Sequence, residues 1–180
     1  MTSCVTRSSK MTSRQTIEFK PLGVVESRFE QQAGTPIQGK MAPQETACIR
    51  VFEEYAAGLK DIEGFSHIYV FFKFDRAAGS QLLVKPYLDT VERGVFATRS
   101  PLRPNPLGMT IVRLDRVEGN CLHISGVDIL NGSPVIDIKP YIPDFDQHQP
   151  EKIGWYQEKS DKDRLVVADN RFAADGAREK

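Results

Sequence analysis

Residues 110–139 read TIVRLDRVEGNCLHISGVDILNGSPVIDIK. In 110–117, Ile111 and Arg113 fall on one face and Val112 and Leu114 on the other, the alternation of a half-buried strand. The turn signals Gly119-Asn120 and Asn131-Gly132 bracket a second apolar run, 121–130. Residues 134–139 supply a third, with Val135, Asp137 and Lys139 expected opposite Ile136 and Ile138. The stretch predicts a three-stranded meander.

Working outward, the same signals recur. Residues 17–29 predict a strand broken at Pro21, and 45–52 another; 33–44, with Gly34, Pro36, Gly39 and Pro43, predict a loop. Residues 53–60 allow one or two helical turns, weakened by Gly58. Residues 65–74, FSHIYVFFKF, are aromatic and β-branched and predict a strand buried on both faces. A short strand or turn at 81–91 and a short strand at 94–98 follow. Many short strands with Gly and Pro turns indicate a mainly β fold, a small barrel-like domain with short helical turns. Its expected extent is 17–145. Residues 1–16, acid-free and rich in Ser and Thr, are expected to be a disordered tail, and the acidic 146–180 a peripheral C-terminal arm, with Trp155 and Tyr156 as anchors and 165–168 as an edge strand.

Composition limits the function classes. The 180 residues carry 24 Lys plus Arg against 24 Asp plus Glu, so the chain is no globally basic nucleic-acid coat. Cys4, Cys48 and Cys121 are odd in number and widely spaced, which predicts reduced thiols and a cytoplasmic location. No long apolar run predicts a membrane span. His67, His123 and His148 lack metal-ligand spacing, and no Gly-rich phosphate loop or nucleophile elbow is present; no metal is expected.

The segment from Arg99 to Gly108, RSPLRPNPLG, carries the most chemistry. Pro101, Pro104 and Pro106 fix much of its backbone, so it loses little entropy on binding a ligand. It presents Arg99, Arg103 and Asn105 on a stiff frame, and guanidiniums favour carboxylate or phosphate oxygens. A rigid crossover with its arginines paired to neighbouring acids fits the spacing as well. Asp137, Lys139 and Tyr141 form a second cluster, equally readable as a surface ion pair beside a core tyrosine. Within 73–116, eight basic residues face four acids, which suits an anionic partner or a solvated edge.

Together PIQG at 36–39, GFSHIYVFF at 64–72, GVFATRSPLRPNPLGMT at 94–110 and VDILNGSPVIDIKPYIP at 127–143 resemble the TrmO/YaeB family (TsaA-like domain), over roughly residues 18–145. The resemblance implies an S-adenosyl-L-methionine-dependent methyltransferase acting on N6 of N6-threonylcarbamoyladenosine at tRNA position 37. It also implies a barrel unlike the Rossmann methyltransferases, a donor bound at or near a homodimer interface, and the anticodon loop of tRNA as partner. Donor-contacting positions carried over by resemblance are Gly39, Lys40, Met41, Asp75, Arg76, Arg99, Met109, Ser125, Gly126, Val127 and Asp128. Longer bacterial members carry a further C-terminal domain, where this chain has only the arm.

Transfer to a urea-like N6 needs alignment and a base to take its proton. Asp128 and Tyr141 are the candidates, with Asp137 as a further one. Arg103 or Lys139 would hold the threonyl carboxylate, Asn105 would orient a base edge or shape the loop, and Tyr141 or Tyr87 would stack. The rival readings are a non-catalytic RNA- or nucleotide-binding barrel and a methyltransferase with a different acceptor.

Overall fold

The computed structural model describes residues 16–159 and 165–173. The tail expected over 1–16 lies, apart from Thr16, outside the described residues, as do two pieces of the arm.

Six strands close into an antiparallel barrel. They are β1 (Gly23–Ser27), β2 (Thr46–Val51), β3 (His67–Lys73), β6 (Leu107–Glu118), β7 (Cys121–Ser125) and β8 (Pro134–Pro140), in the order β1-β2-β7-β6-β3-β8, with β8 returning to β1. A separate two-stranded ribbon joins β4 (Leu83–Val84) to β5 (Arg93–Gly94). The described helices are one short α-helix, α1 (Pro143–Asp146), and 3-10 turns, including Gly39–Met41, Glu53–Leu59, Val95–Ala97 and Gly154–Glu158.

Alternation decides which side chains fill the lumen. On β6, Gly108, Thr110, Val112 and Leu114 are buried, while Leu107, Met109 and Ile111 remain 40–44% exposed. On β3, Ile68, Val70 and Phe72 point inward. Val25, Ile49, Leu122, Ile124 and Val135, each fully buried, complete the lumen. Each such side chain stabilises the fold by roughly 1.5–3 kcal/mol through burial. A smaller cluster outside the barrel joins Val84, Val95, Leu102 and Phe172.

Several expectations need correction. The meander does not form: β7 pairs with β6, but β8 pairs with β3 and β1. Gly126 adopts φ +74°, which ends β7 after Ser125, and residues 126–133 carry the chain across to the far side. The β3 face bearing His67, Tyr69 and Phe71 is half-buried, so β3 is covered fully on one side only. On β8 the register shifts at Ile136, because Phe72 pairs with Val135 and Phe71 with Asp137. That bulge puts Val135 and Ile138 against the core and Asp137 and Lys139 outside, breaking the expected alternation. Residues 95–97 form a 3-10 turn, not a strand.

The arm is less peripheral than its composition implied. Phe172 and Ala168 are buried, and Val167 bridges Pro36 instead of extending a sheet edge. Cys48 and Cys121 are brought side by side with Cα atoms 6.1 Å apart, close enough for a disulfide, where the wide sequence spacing indicates separate thiols. The β2–β7 pairing that brings them together spans 73 residues of sequence and leaves no trace in their spacing. Among the described residues, no helix is long and apolar enough to cross a membrane.

Candidate functional site

The loop 34–41, the Arg–Pro segment and the end of β7 meet at one rim of the barrel. Their closest approach is backbone on backbone. A Cβ on Gly39 would stand 1.9 Å from the Gly126 carbonyl oxygen, so only glycine lets the Gly39–Met41 turn lie against the 125–128 strand end. A related fit occurs on β6, where Gly108 leaves room for the Phe72 ring; an added Cβ would come within 2.4 Å of it.

These contacts frame a cavity of about 540 Å3. Phe72, Phe74, Leu107 and Met109 give it an apolar side, and Gln38, Arg99, Arg103, Asn105 and Asp128 a polar one. The size and the mix suit a small organic ligand. Asp128 is its most unusual member. Burial pushes the Asp128 carboxyl up to about 6, while the Thr110 hydroxyl, the Gly39 backbone amide and the Arg99 charge pull it partly back down. Its Oδ1 is buried and has no hydrogen-bond partner among the described residues. An unpaired buried carboxylate oxygen is costly, so a ligand donor or cation placed there would bind to relieve that cost.

The two arginines are held differently. Arg99 Nη1 donates to Gln38 Oε1, tying the Arg–Pro segment to the 34–41 loop. Arg103 Nη1 donates to the carbonyls of Thr98 and Ser100, at 3.2 and 3.4 Å, which fixes the guanidinium plane within its own loop. That loop is bent, not extended: Arg103 N–H donates to the Pro101 carbonyl (2.8 Å) and Leu107 N–H to that of Asn105 (2.7 Å). Among the described residues no acid pairs with Arg99 or Arg103, so the crossover with acid-paired arginines is not what forms.

The other residues singled out from sequence are distributed as follows. Gly39, Gly126 and Val127 form the backbone cradle behind Asp128, and Val127 is fully buried, whereas Ser125 ends β7 with its hydroxyl donating to Asp115 Oδ1 (3.2 Å), away from the cavity lining. Lys40 and Met41 complete the Gly39–Met41 turn, and Met41 lines a neighbouring cavity. Asp75 and Arg76 sit past the end of β3, outside the cavity wall. Arg76 donates to the Glu30 carbonyl (2.5 Å) and to that of Asn131, and Ser133 Oγ meets Asp75 at 3.5 Å. They stitch loop ends together beside Phe74.

Lys139 and Tyr141 are not brought to this cavity within one chain. Lys139 pairs with Asp137 at 2.8 Å on the outward face of β8, and Tyr141 packs its ring 5.7 Å from that of Tyr69. Tyr87 lines the cavity wall and is half-buried, its ring packed against Phe172, and burial pushes its hydroxyl pKa up. Sequence reasoning missed Phe72, Phe74, Phe96, Gln38 and Thr110. Gln38 was visible inside PIQG. Phe72 was visible as an aromatic on a strand that must pass a glycine-bearing one, but only strand pairing says which glycine. Among the described residues no group of three or more His, Cys, Asp or Glu is placed to hold a metal ion.

Comparison with known proteins accounts for this layout. Residues 24–147 match the tRNA-methyltransferase O N-terminal domain. A probable S-adenosyl-L-methionine-binding protein of Pyrococcus abyssi is 45% identical over 154 residues, covering 86% of this chain and 84% of that protein. The tRNA (adenine(37)-N6)-methyltransferase of Rattus norvegicus is 39% identical over 137 residues, covering 72% of this chain but 32% of the rat protein. A crystal structure of TrmO from Pseudomonas aeruginosa superposes with a TM-score of 0.66 at 32% identity, covering 78% of this chain and 63% of that one. The chain therefore spans about a third of the rat enzyme and under two thirds of the solved bacterial one. With the domain matched over most of its length and the barrel shared with a solved member, the chain belongs to the tRNA-methyltransferase O family.

Proposed function

We propose that this protein transfers a methyl group from S-adenosyl-L-methionine to N6 of adenosine 37 in tRNA, in its N6-threonylcarbamoyl form. The observation that carries the reading is Asp128, whose carboxylate has one buried, unpartnered oxygen at the wall of a cavity also lined by Arg99 and Arg103, neither of them in a salt bridge among the described residues. The names of the Pyrococcus and rat relatives support the donor and the adenosine acceptor.

The cavity fits the donor by its own chemistry. Phe72, Phe74 and Met109 offer apolar and aromatic surface to an adenine and a methyl-sulfonium, and the Asp128 carboxylate offers its negative charge to the sulfonium cation. Gly39 and Gly126 allow the ligand's backbone cradle to close. When bound, the donor supplies an electrophilic methyl carbon whose S–C bonding pair leaves with sulfur. The chain's residues do the rest. Arg103, its plane fixed by Thr98 and Ser100, keeps donors for the threonyl carboxylate. Asn105, exposed at the bend of the same loop, is placed to meet a base edge. Asp128, mostly ionised near neutral pH, accepts the N6 proton as nitrogen forms its new bond to carbon.

The working unit in this reading is a homodimer. The outward β6–β3–β8 face exposes Leu107, Met109 and Ile111 beside Tyr69, Phe71 and Tyr141, an apolar strip continuous with the cavity through Leu107 and Met109. A second copy on this face would add its Lys139 and Tyr141 to the cavity mouth.

The test is methyl transfer from isotopically labelled donor to tRNA with and without threonylcarbamoyladenosine, followed by nucleoside mass analysis. Label at N6 of the modified adenosine is the expected result. Tight binding of S-adenosylhomocysteine with no label in any tRNA would leave a binding barrel instead.

A further inference from the structure

Beside the Asp128 cavity lies a second one of about 630 Å3; Gln38, Phe96 and Arg99 belong to the wall between them. Its other side comes from the arm: Trp155, Tyr156 and Phe172, all beyond residue 147, where the match to the family domain ends.

The arm is fastened in place. Trp155 Nε1 donates to the Ala97 carbonyl at 2.8 Å, and the Arg93 guanidinium stands 5.8 Å from the Trp155 ring centroid. Tyr156 meets Trp155 edge to face, centroids 6.1 Å apart at 85°. Ile37 N–H donates to the Val166 carbonyl (3.0 Å) and Ala168 N–H to that of Thr35 (2.8 Å), tying the arm to the loop that carries Gln38. With its indole N–H used and Arg93 and Tyr156 beside the ring, Trp155 has the cavity-facing part of its ring surface left to offer. Phe96 lines the same cavity and is 76% exposed, a large ring in water at the mouth of a concave site.

Charge narrows the choice of occupant. Arg93 is paired with Asp89 at 2.8 Å and Arg171 with Asp169 at 2.6 Å, so the arm side offers rings and little net charge. Among the described residues, a phosphate group would be met by a single unpaired cation, Arg99, at the far edge and by none on the arm side. An alkyl chain would make no use of the Gln38 amide and the Arg99 guanidinium at the edge. Stacking rings with hydrogen-bonding groups at one edge match a nucleobase turned out of its own stack.

We propose that Trp155 and Tyr156, with Phe96, form a stacking subsite for a splayed purine of the RNA acceptor, separated from Asp128 by the Gln38–Arg99 bridge. The proposal rests on the RNA-acceptor reading above and adds the arm to the substrate-binding surface.

Trp155 is the only tryptophan in the chain, so its fluorescence reports this wall alone. Anticodon stem–loop RNA is expected to quench it, and S-adenosylhomocysteine to leave it unchanged. Tyr156→Ala keeps both the probe and its bond to Ala97. This variant is expected to weaken RNA binding by about tenfold, the order of a lost base stack, with calorimetric affinity for S-adenosylhomocysteine unaltered. Trp155→Phe, which keeps a ring, is expected to bind RNA much better than Trp155→Ala. Quenching by S-adenosylhomocysteine but not RNA would assign the wall to the donor and overturn the proposal. Unchanged RNA affinity in Tyr156→Ala would overturn it as well. Failure of the methyl-transfer reading appears elsewhere, as absent label transfer by the wild-type protein, because these measurements read binding and not transfer.

Discussion

Asp128 and Asp137 carry the same side chain in opposite surroundings. Asp128 lines a cavity, with one buried oxygen unpartnered and its carboxyl pushed up to about 6. Asp137 lies on the outward face of β8, 2.8 Å from Lys139, with the two side chains 44% and 59% exposed. Water screens that pair, and such pairs contribute about 0–1 kcal/mol. Asp128 keeps one oxygen out of solvent at a cavity wall, so that oxygen's unmet demand can be turned toward a ligand. The contrast teaches that the inner site is poised within a single chain, whereas the outer cluster acquires strong chemistry only where a partner covers it.

Asp128→Asn breaks the inner half of that contrast most severely. Methyl transfer is expected to fall by about 10²–10⁴-fold, the range for a lost general base. Stability should move the other way. The folded carboxyl titrates near 6 and the unfolded one near 3.8, so between those values the native state holds a proton that the unfolded chain has lost. Wild-type stability therefore rises as pH falls from about 6 toward 4, and at pH 7 the carboxylate's charge costs on the order of 3 kcal/mol. Thermal scans should show Asp128→Asn melting higher than wild type at pH 7, with a flatter pH trend. A lower melting temperature at pH 7 would mean that the carboxylate is satisfied in solution.

Gly39→Ala tests the backbone that holds Asp128 without touching its charge. The new Cβ would fall 1.9 Å from the Gly126 carbonyl oxygen, and neither partner is a side chain that can rotate away. The Gly39–Met41 turn must lift from the β7 end. A displacement of about 1 Å is enough to lower turnover by about a hundredfold. Circular dichroism should retain the barrel's β signal, since Gly39 lies outside its strands. Full activity in this variant would show that the loop yields without moving the carboxylate.

How much of this was legible beforehand follows the range of each interaction. Alternation at Val112 and Leu114 is local and set the inward face of β6 correctly. The stiffness of the Arg–Pro segment is local too, and its Arg99, Arg103 and Asn105 all reach the cavity. Strand order is not local. Nothing in 121–139 says that the chain turns at Gly126 and pairs β8 with β3, and the bulge at Ile136 arises only once that partner is chosen. The arm's composition read as solvated because its buried side chains find their partners far along the chain: Ala168 is tied by backbone bonds to Gly34 and Thr35, and Phe172 packs against Val84, Val95, Leu102 and Tyr87.

A milder probe of the inner site is pH. Uptake of a cationic or amine-bearing donor at Asp128 favours the ionised carboxylate, so affinity should be full above about pH 7 and fall as pH drops through 6. At pH 5 about a tenth of the carboxyl is ionised, so calorimetric affinity for S-adenosyl-L-methionine should be about tenfold weaker than at pH 7. Binding in the Asp128→Asn variant should lose this dependence. A flat profile for the wild type would separate donor binding from this carboxylate.

The outer half of the contrast gives the smallest signal and the most specific one. Lys139→Ala removes an exposed ion pair, so it should shift stability by less than about 0.5 kcal/mol. If a second copy covers the outward face, each site draws Arg103 from one chain and Lys139 from the other. Arg103→Ala and Lys139→Ala would then each impair transfer, yet their heterodimer would contain one site with both residues intact. In an equimolar exchanged mixture half the dimers are mixed, and each carries one working site of two, so activity should return to about a quarter of wild type. Light scattering of the mixture checks that dimers are present. Additive, unrecovered activity in a proven dimer would place Arg103 and Lys139 in the same chain's site or leave Lys139 outside it, and the outward pair would revert to an ordinary solvated one.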